Sequence, residues 1–264
     1  MEPLTPTLSE AITPLELFPI EACDSNYIWC FQTGEGQVAV VDPGESSPVI
    51  SYLTGSNLKL SHILLTHHHN DHTGGVDALV KFYQAQVIGS AHDAYRLPQL
   101  DIALKGGEEL QVGDRLFRVI HTPGHTSGHI CFYGEGVLFA GDTLFSHGCG
   151  RLFEGEPETM WQSLLKLRSL PDTTQLCCAH EYTLTNLEFG LTLPGQRERL
   201  SPLVKQAMQD LDAQRPTLPT RLADEKRSNP FLRCDQAAFK KELGHPEFSD
   251  TACFAHIRQM RNHH

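Results

Sequence analysis

Short apolar runs separated by glycine-rich turns occupy the first two-thirds of the chain, and longer amphipathic stretches broken by proline occupy the last third. Runs of this kind are strand candidates, and they fall at residues 27–31, 37–41, 61–65, 86–88, 116–120, 129–133, 137–140 and 175–178. Helical spacing appears at 73–83 and at 157–170, the latter opening on Pro157, whose missing N–H is harmless in a first turn. Farther on, Leu200, Leu203, Val204, Ala207 and Leu211 recur at helical spacing and make one apolar stripe. Mixed strands and helices followed by helices alone predict an α/β chain of two units, a catalytic one over 1–182 and a small helical one over 183–264.

A faint internal echo accompanies this pattern. Ile28-Trp29-Cys30-Phe31 leads through Gly34-Glu35-Gly36 to a strand ending Val41-Asp42-Pro43-Gly44, and Ile130-Cys131-Phe132-Tyr133 leads through Gly134-Glu135-Gly136 to one ending Gly141-Asp142-Thr143. The strand before Thr66-His67 has a counterpart before Thr122-Pro123-Gly124-His125. Two similar halves facing each other would bring Asp42 and Asp142, and His67 and His125, towards one seam.

Hydrophobic residues make up 40% and charged residues 20% of the 264 positions, enough apolar side chain for a sizeable core and too much for a disordered chain. The formal charge of −11 lacks the electrostatic footprint of a nucleic-acid binder, so any anionic substrate must be met by local cations. The eight cysteines, at 23, 30, 131, 149, 177, 178, 234 and 253, contain no CxxC pair. Several lie in apolar runs such as His129-Ile130-Cys131-Phe132, as small hydrophobes, and are read as reduced and structural. Met1-Glu2-Pro3-Leu4-Thr5 has no basic region followed by an apolar one, and no apolar run approaches membrane-spanning length. A cytoplasmic protein with neither nucleic-acid nor membrane partner is the expectation, working as a monomer.

The stretch that carries chemistry is Thr66-His67-His68-His69-Asn70-Asp71-His72-Thr73-Gly74-Gly75, with four histidines and an aspartate between 67 and 72. It follows a buried strand and precedes a helix start, a loop position from which several side chains can aim into one cavity. Imidazole and carboxylate suit zinc and are accepted by iron and manganese, so the donor set predicts a metal without choosing it. His125, Asp142 and His180 each follow an apolar run and are the remaining ligand candidates. A histidine alone at a strand end is ordinarily a hydrogen-bonded structural residue; beside the histidine-rich loop the three reinforce one another.

His-x-His-x-Asp-His followed by a distant His, Asp and His resembles the metal signature of the metallo-β-lactamase superfamily. The resemblance implies a four-layered αββα sandwich and two divalent metal ions, zinc first among the candidates. It implies His67, His69 and His125 on the first ion, Asp71, His72 and His180 on the second, and Asp142 bridging them. His68 and Asn70 fall between ligands and should point away, and Asp42 matches an acidic position expected to orient a ligand.

A narrower resemblance spans nearly the whole chain. Gly141-Asp142-Thr143-Leu144-Phe145, Gly148-Cys149-Gly150-Arg151-Leu152-Phe153-Glu154-Gly155, His180-Glu181-Tyr182-Thr183 and Asn229-Pro230-Phe231-Leu232-Arg233 resemble the glyoxalase II, or hydroxyacylglutathione hydrolase, family. That family implies hydrolysis of the thioester S-D-lactoylglutathione to D-lactate and glutathione, the second step of methylglyoxal detoxification. It implies a substrate grip from Arg151, Phe153, Tyr182, Arg258 and Arg261, cations being what the carboxylates of glutathione require. Phe153 and Arg261 depart from relatives that carry Tyr and Lys there. The implied attack is by a metal-activated hydroxide, with Asp71 orienting it and no Ser or Cys nucleophile needed. The rival readings are a one-iron glutathione persulfide dioxygenase, an exported β-lactamase, and a binding module whose ions are purely structural.

Overall fold

Alternation along each strand decides the layering. The computed structural model describes residues 15–264, so the N-terminal stretch on which the expectation about a signal sequence rested lies outside the described residues. The first sheet contains β1 (Leu17–Ala22), β2 (Asn26–Gly34), β3 (Gln37–Val41), β4 (Lys59–Leu64), β5 (Gln86–Ser90) and β6 (Ile102–Leu104), paired in chain order. Its first three strands are antiparallel and the rest parallel. The crossovers carry α1 (Ser46–Leu53), then α2 (Asn70–Thr73) and α3 (Val76–Tyr83).

β7 (Glu109–Val112), β8 (Arg115–His121), β9 (Ile130–Gly134) and β10 (Val137–Gly141) form an antiparallel meander in the second sheet. A hairpin of β11 (Leu144–Phe145) and β12 (Gly148–Cys149) and then α4 (Pro157–Arg168) lead to β13 (Gln175–Cys178), which pairs parallel with β10. After β13 come α5 (Thr183–Thr192), α6 (Arg197–Asp212), the edge strand β14 (Thr220–Arg221), α7 (Leu222–Ser228), α8 (Ala237–Glu242) and α9 (Asp250–Asn262).

Trp29, Phe31, Ala39 and Val41 face the second sheet and meet Phe117, Phe132 and Phe139 there; Phe31 stacks on Phe139 at 5.3 Å between ring centres. Their neighbours Ile28, Cys30, Val38 and Val40 face the other way, onto Val49 and Leu53 of α1 and Val76 and Leu79 of α3. On the far side of the second sheet, Cys131, Leu138, Ala140 and Leu176 meet Trp161, Leu164 and Leu167 of α4 together with Phe231 and Phe254 from the C-terminal part. Helix, sheet, sheet, helix is the expected αββα sandwich. Central strands buried on both faces read as unbroken apolar runs for this reason. The C-terminal helices share a core with α4, and the apolar stripe of α6 buries Leu200 and Ala207 against Leu187 of α5.

The helix expected at 73–83 is two pieces, Asn70–Thr73 and Val76–Tyr83, with the break at Gly74-Gly75. The 43–46 turn packs so tightly there that a Cβ at Gly75 would meet the Glu45 and Ser46 backbone at 2.5–2.6 Å. The echo has a structural counterpart in the hairpins β2–β3 and β9–β10, but the strand before His67 follows its hairpin and pairs parallel, whereas the strand before His125 precedes its hairpin and pairs antiparallel. Seven of the eight cysteines are buried and free; Cys23 is exposed. No helix among the described residues is long and apolar enough to cross a membrane.

Candidate metal centre

Four strand ends and a helix start converge at one edge of the sandwich. β4 delivers His67, the turn into α2 delivers His69, Asp71 and His72, β8 runs into the loop carrying His125, β10 ends one residue before Asp142, and β13 ends two residues before His180. His67, His69 and His125 gather with ligand atoms within 4.8 Å of one another, and so do Asp71, His72 and His180. Asp142 reaches both groups: Oδ2 lies 3.5 Å from His125 Nε2, and Oδ1 lies 3.5 and 3.3 Å from Nε2 of His72 and His180. Gly44 and Gly150 press on the carbonyls of Asp71 and Asp142, where a Cβ would collide. His68 turns away to Asp93 at 3.3 Å, and Asn70 is exposed.

The hydrogen bonds behind these side chains fix which ring nitrogen is free. Asp42, buried and in the left-handed backbone region at φ 52°, accepts from Thr66 N at 2.8 Å, Thr66 Oγ1 at 2.7 Å and His72 Nδ1 at 3.1 Å. With its proton given to Asp42, the Thr66 hydroxyl accepts from His67 Nδ1 at 3.0 Å. One carboxylate therefore holds Nδ1 of a histidine in each group as the hydrogen-bond donor and leaves Nε2 as the atom turned to the centre. His125 is set the same way by the Arg151 carbonyl at 2.8 Å from Nδ1. His180 Nδ1 contacts Ser25 Oγ at 3.3 Å.

Whether these residues suit a cation can be judged from their unmet needs. His72 Nε2 and Asp142 Oδ1 are buried without a hydrogen-bond partner, a costly state for two lone pairs unless something positive lies between them. Contacts of 3.0 Å join His69 Nδ1 to the Nε2 atoms of His67 and His125. Ligand bonds of about 2.0–2.1 Å in tetrahedral arrangement put neighbouring donor atoms about 3.3 Å apart. Burial pushes the His67 and His125 rings below the usual imidazole range; at His69, burial and neighbouring His125 take it to about 4. These rings are neutral donors. Around His72 burial is overruled by Asp142, Asp42 and Asp71, which drive the ring well above its ordinary value. The donor set is short of positive charge and fits a dinuclear metal centre.

A cavity of about 300 Å³ opens from His125 and Asp142, walled by Phe145, Cys149, Phe153 and Tyr182 and ending at Arg151, Arg258 and Arg261. Tyr182 stacks flat on His180 at 4.6 Å, and Phe153, 60% exposed, sets its edge against His69 and His125. Arg258 is buried, donating to the Cys149 carbonyl at 2.8 Å and lying over Phe231. Burial and then the neighbouring Arg258 and Arg151 push the Arg261 guanidinium down. Burial holds the Cys149 thiol up at about 11, in its protonated form at neutral pH.

Residues 21–180 match the metallo-beta-lactamase superfamily and residues 181–264 match the hydroxyacylglutathione hydrolase C-terminus. A hydroxyacylglutathione hydrolase of Cereibacter sphaeroides is 44% identical over 252 residues, covering 94% of this chain and 99% of the relative. One of Vibrio campbellii is 43% identical over 255 residues, with 94% and 99% covered. The chain belongs to the hydroxyacylglutathione hydrolase family. Among solved structures, ETHE1 from Myxococcus xanthus superposes with a TM-score of 0.66 at 25% identity, covering 94% of this chain and 90% of its own. TTHA1623 in a di-iron-bound form gives 0.60 at 27% identity, with 81% and 100% covered.

Sequence reasoning missed some supports of this hydroxyacylglutathione hydrolase site. His129 is buried, its Nε2 accepts the Asp142 N–H at 3.1 Å and its Nδ1 meets the Thr122 and Thr143 hydroxyls. Burial and His125 keep it neutral. The available signal was a second histidine four residues after His125, but only the fold tells that one faces the cavity and the other the backbone of Asp142. Asn26 holds Asp71 through its carbonyl at 3.0 Å and its carboxylate at 3.3 Å. Nothing in the surrounding sequence marks it.

Proposed function

We propose that the protein hydrolyses glutathione thioesters of 2-hydroxy acids, S-D-lactoylglutathione foremost, to glutathione and the free acid. The observation that carries this reading is the cavity running from the seven-residue donor cluster to three guanidinium groups, in a chain whose net charge is −11. His67, His69 and His125 would hold one divalent cation and Asp71, His72 and His180 another, with Asp142 between; zinc leads the candidates, with iron and manganese accepted by the same donors. Such a pair supplies activated water at neutral pH and polarises the thioester carbonyl.

The chain's own groups do the remaining work. Asp71, whose carboxyl is held low mainly by His72 against the effect of burial, is acceptor-only and orients the attacking water. Arg151, Arg258 and Arg261 meet the glutathione carboxylates, while Tyr182 and Phe153 wall the thioester. The thiolate leaves without a dedicated general acid. In this reading residues 1–182 hold the metals and 183–264 supply the distal grip. A one-iron dioxygenase does not need the second donor group of Asp71, His72 and His180, and that reading is not favoured. We also place the enzyme in the cytoplasm as a monomer, which a tagged chain and sedimentation test.

The deciding experiment follows loss of thioester absorbance with S-D-lactoylglutathione on protein whose metal has been counted. Hydrolysis at about two metals per chain, abolished by chelation, is the expected result. Oxygen uptake with glutathione persulfide in its place would refute it.

A further inference from the structure

Four of the metal-donor histidines have a firm hydrogen-bond support behind the ring: His67 on Thr66, His72 on Asp42, His125 on the Arg151 carbonyl and His180 on Ser25. His69 does not. Among the described residues its nitrogen contacts are with His67 and His125, and its remaining neighbours include the Phe153 ring, edge-on at 5.4 Å. Phe153 thus packs, beside His68, against the one donor ring that no hydrogen bond from behind holds among the described residues.

Phe153 sits on the 150–156 stretch between β12 and α4, tied by its own N–H to the His125 carbonyl at 3.1 Å. The next residue, Glu154, is gripped from outside. Arg96 donates to it through Nη1 at 2.5 Å and Nη2 at 2.7 Å, a two-pronged carboxylate bond. Ser127, two residues after His125, adds its backbone N–H at 2.8 Å and hydroxyl at 2.9 Å to Glu154 Oε2.

The same guanidinium also holds Asp93, which is fully buried, through Nε at 3.1 Å and Nη2 at 2.8 Å. Asp93 in turn meets His68 at 3.3 Å, on the outward side of the ligand loop. Gly128 lies so close to Asp93 that any Cβ would strike its carboxyl group. One guanidinium thus joins the backs of three loops, those of His67–His69, His125 and Phe153. No donor to the second cation lies on the latter two loops.

We propose that Arg96 is a positioning residue that sets the first metal position and the aromatic wall at Phe153, leaving the second position untouched. The inference deepens the hydrolase reading and rests on it for the meaning of the wall. Its prediction about metal can be read without any substrate. Arg96 touches neither cation nor thioester and acts only by holding Glu154, Ser127 and Asp93 in one arrangement. A lysine at this position keeps the charge but cannot make the two-pronged bond.

The test is zinc binding to the full metal-free chain in competition with a chromophoric chelator. The step lost in His69→Ala marks the first position and the step lost in His180→Ala marks the second. Arg96→Met should weaken the first step about tenfold, leave the second within twofold, and raise KM for the thioester more than it lowers kcat. Arg96→Lys should fall between. If Arg96→Met does not fold, Glu154→Gln carries the same test, because it leaves the Arg96–Asp93 contacts in place. Wild-type affinity at both steps would overturn the proposal, as would equal weakening of both. Selective zinc loss in a protein without thioesterase activity would instead remove the hydrolase reading and leave the positioning role standing.

Discussion

Asp42→Ala is the sharpest probe of how the centre is organised. The carboxylate is 3% exposed and accepts three hydrogen bonds, from Thr66 N, Thr66 Oγ1 and His72 Nδ1. Each buried donor left without an acceptor costs about 1–3 kcal/mol, and the Thr66 N–H cannot turn to find another, so the metal-free protein should lose at least about 1 kcal/mol. The second effect is chemical. Without Asp42 the Thr66 hydroxyl can turn and donate to His67 Nδ1, and His72 can move its proton to Nε2, so each metal position loses the tautomer it needs. Losing an orienting partner of this kind lowers metal affinity about 10–100-fold, or about 1.4–2.7 kcal/mol. Asp42→Asn is the control. Its amide keeps one oxygen, and the rotamer that serves Thr66 Oγ1 and His72 strands only the Thr66 N–H, so stability should fall by about 1–3 kcal/mol with a smaller metal effect. Denaturant unfolding of the metal-free proteins and zinc titration against a chelator measure the two effects separately. Weakening of one position only, or wild-type affinity at both in Asp42→Ala, would refute the claim that one carboxylate orients a histidine in each group.

Asp71→Asn should reduce turnover far more than thioester binding, and an equal loss in both would end its role in orienting the attacking water. Arg261→Gln should raise KM about tenfold with kcat within twofold; Arg258→Gln should do the same and also lower stability, since Arg258 holds the Cys149 carbonyl and covers Phe231. Steady-state kinetics beside thermal melts separates the two arginines, and a melt unchanged in Arg258→Gln would contradict the buried role. Chelation should lower Tm on the order of 10 °C, as removal of ligands bound far above their Kd does; a calorimetric scan showing no shift would mean that the donor cluster holds no tightly bound ion. Phe231→Ala, at a fully buried ring in the core shared by α4 and α9, should cost about 3–5 kcal/mol of unfolding free energy and raise KM by loosening Arg258. A loss below 1 kcal/mol would show that this core does not couple the C-terminal helices to the sandwich.

Much of this molecule is legible in its sequence because the signals are local. A strand buried on both faces, such as 37–41 or 137–140, must be apolar at every position, and a ligand loop at a strand end must carry its donors within a few residues, as His67 to His72 do. Pro157 at a helix start and the stripe from Leu200 to Ala207 are local in the same sense. What the sequence left unread depends on residues distant along the chain. The short strands β11, β12 and β14 exist only because neighbouring strands supply their hydrogen bonds. The break at Gly74-Gly75 follows from a turn 30 residues earlier pressing on the backbone. Asp42 lies 24 and 30 residues from its partners Thr66 and His72, and Arg96 lies 58 from Glu154. Donor types could be read from composition and spacing, but which nitrogen is bare, and which carboxylate makes it so, is settled by hydrogen bonds that form only once the two sheets have closed on each other.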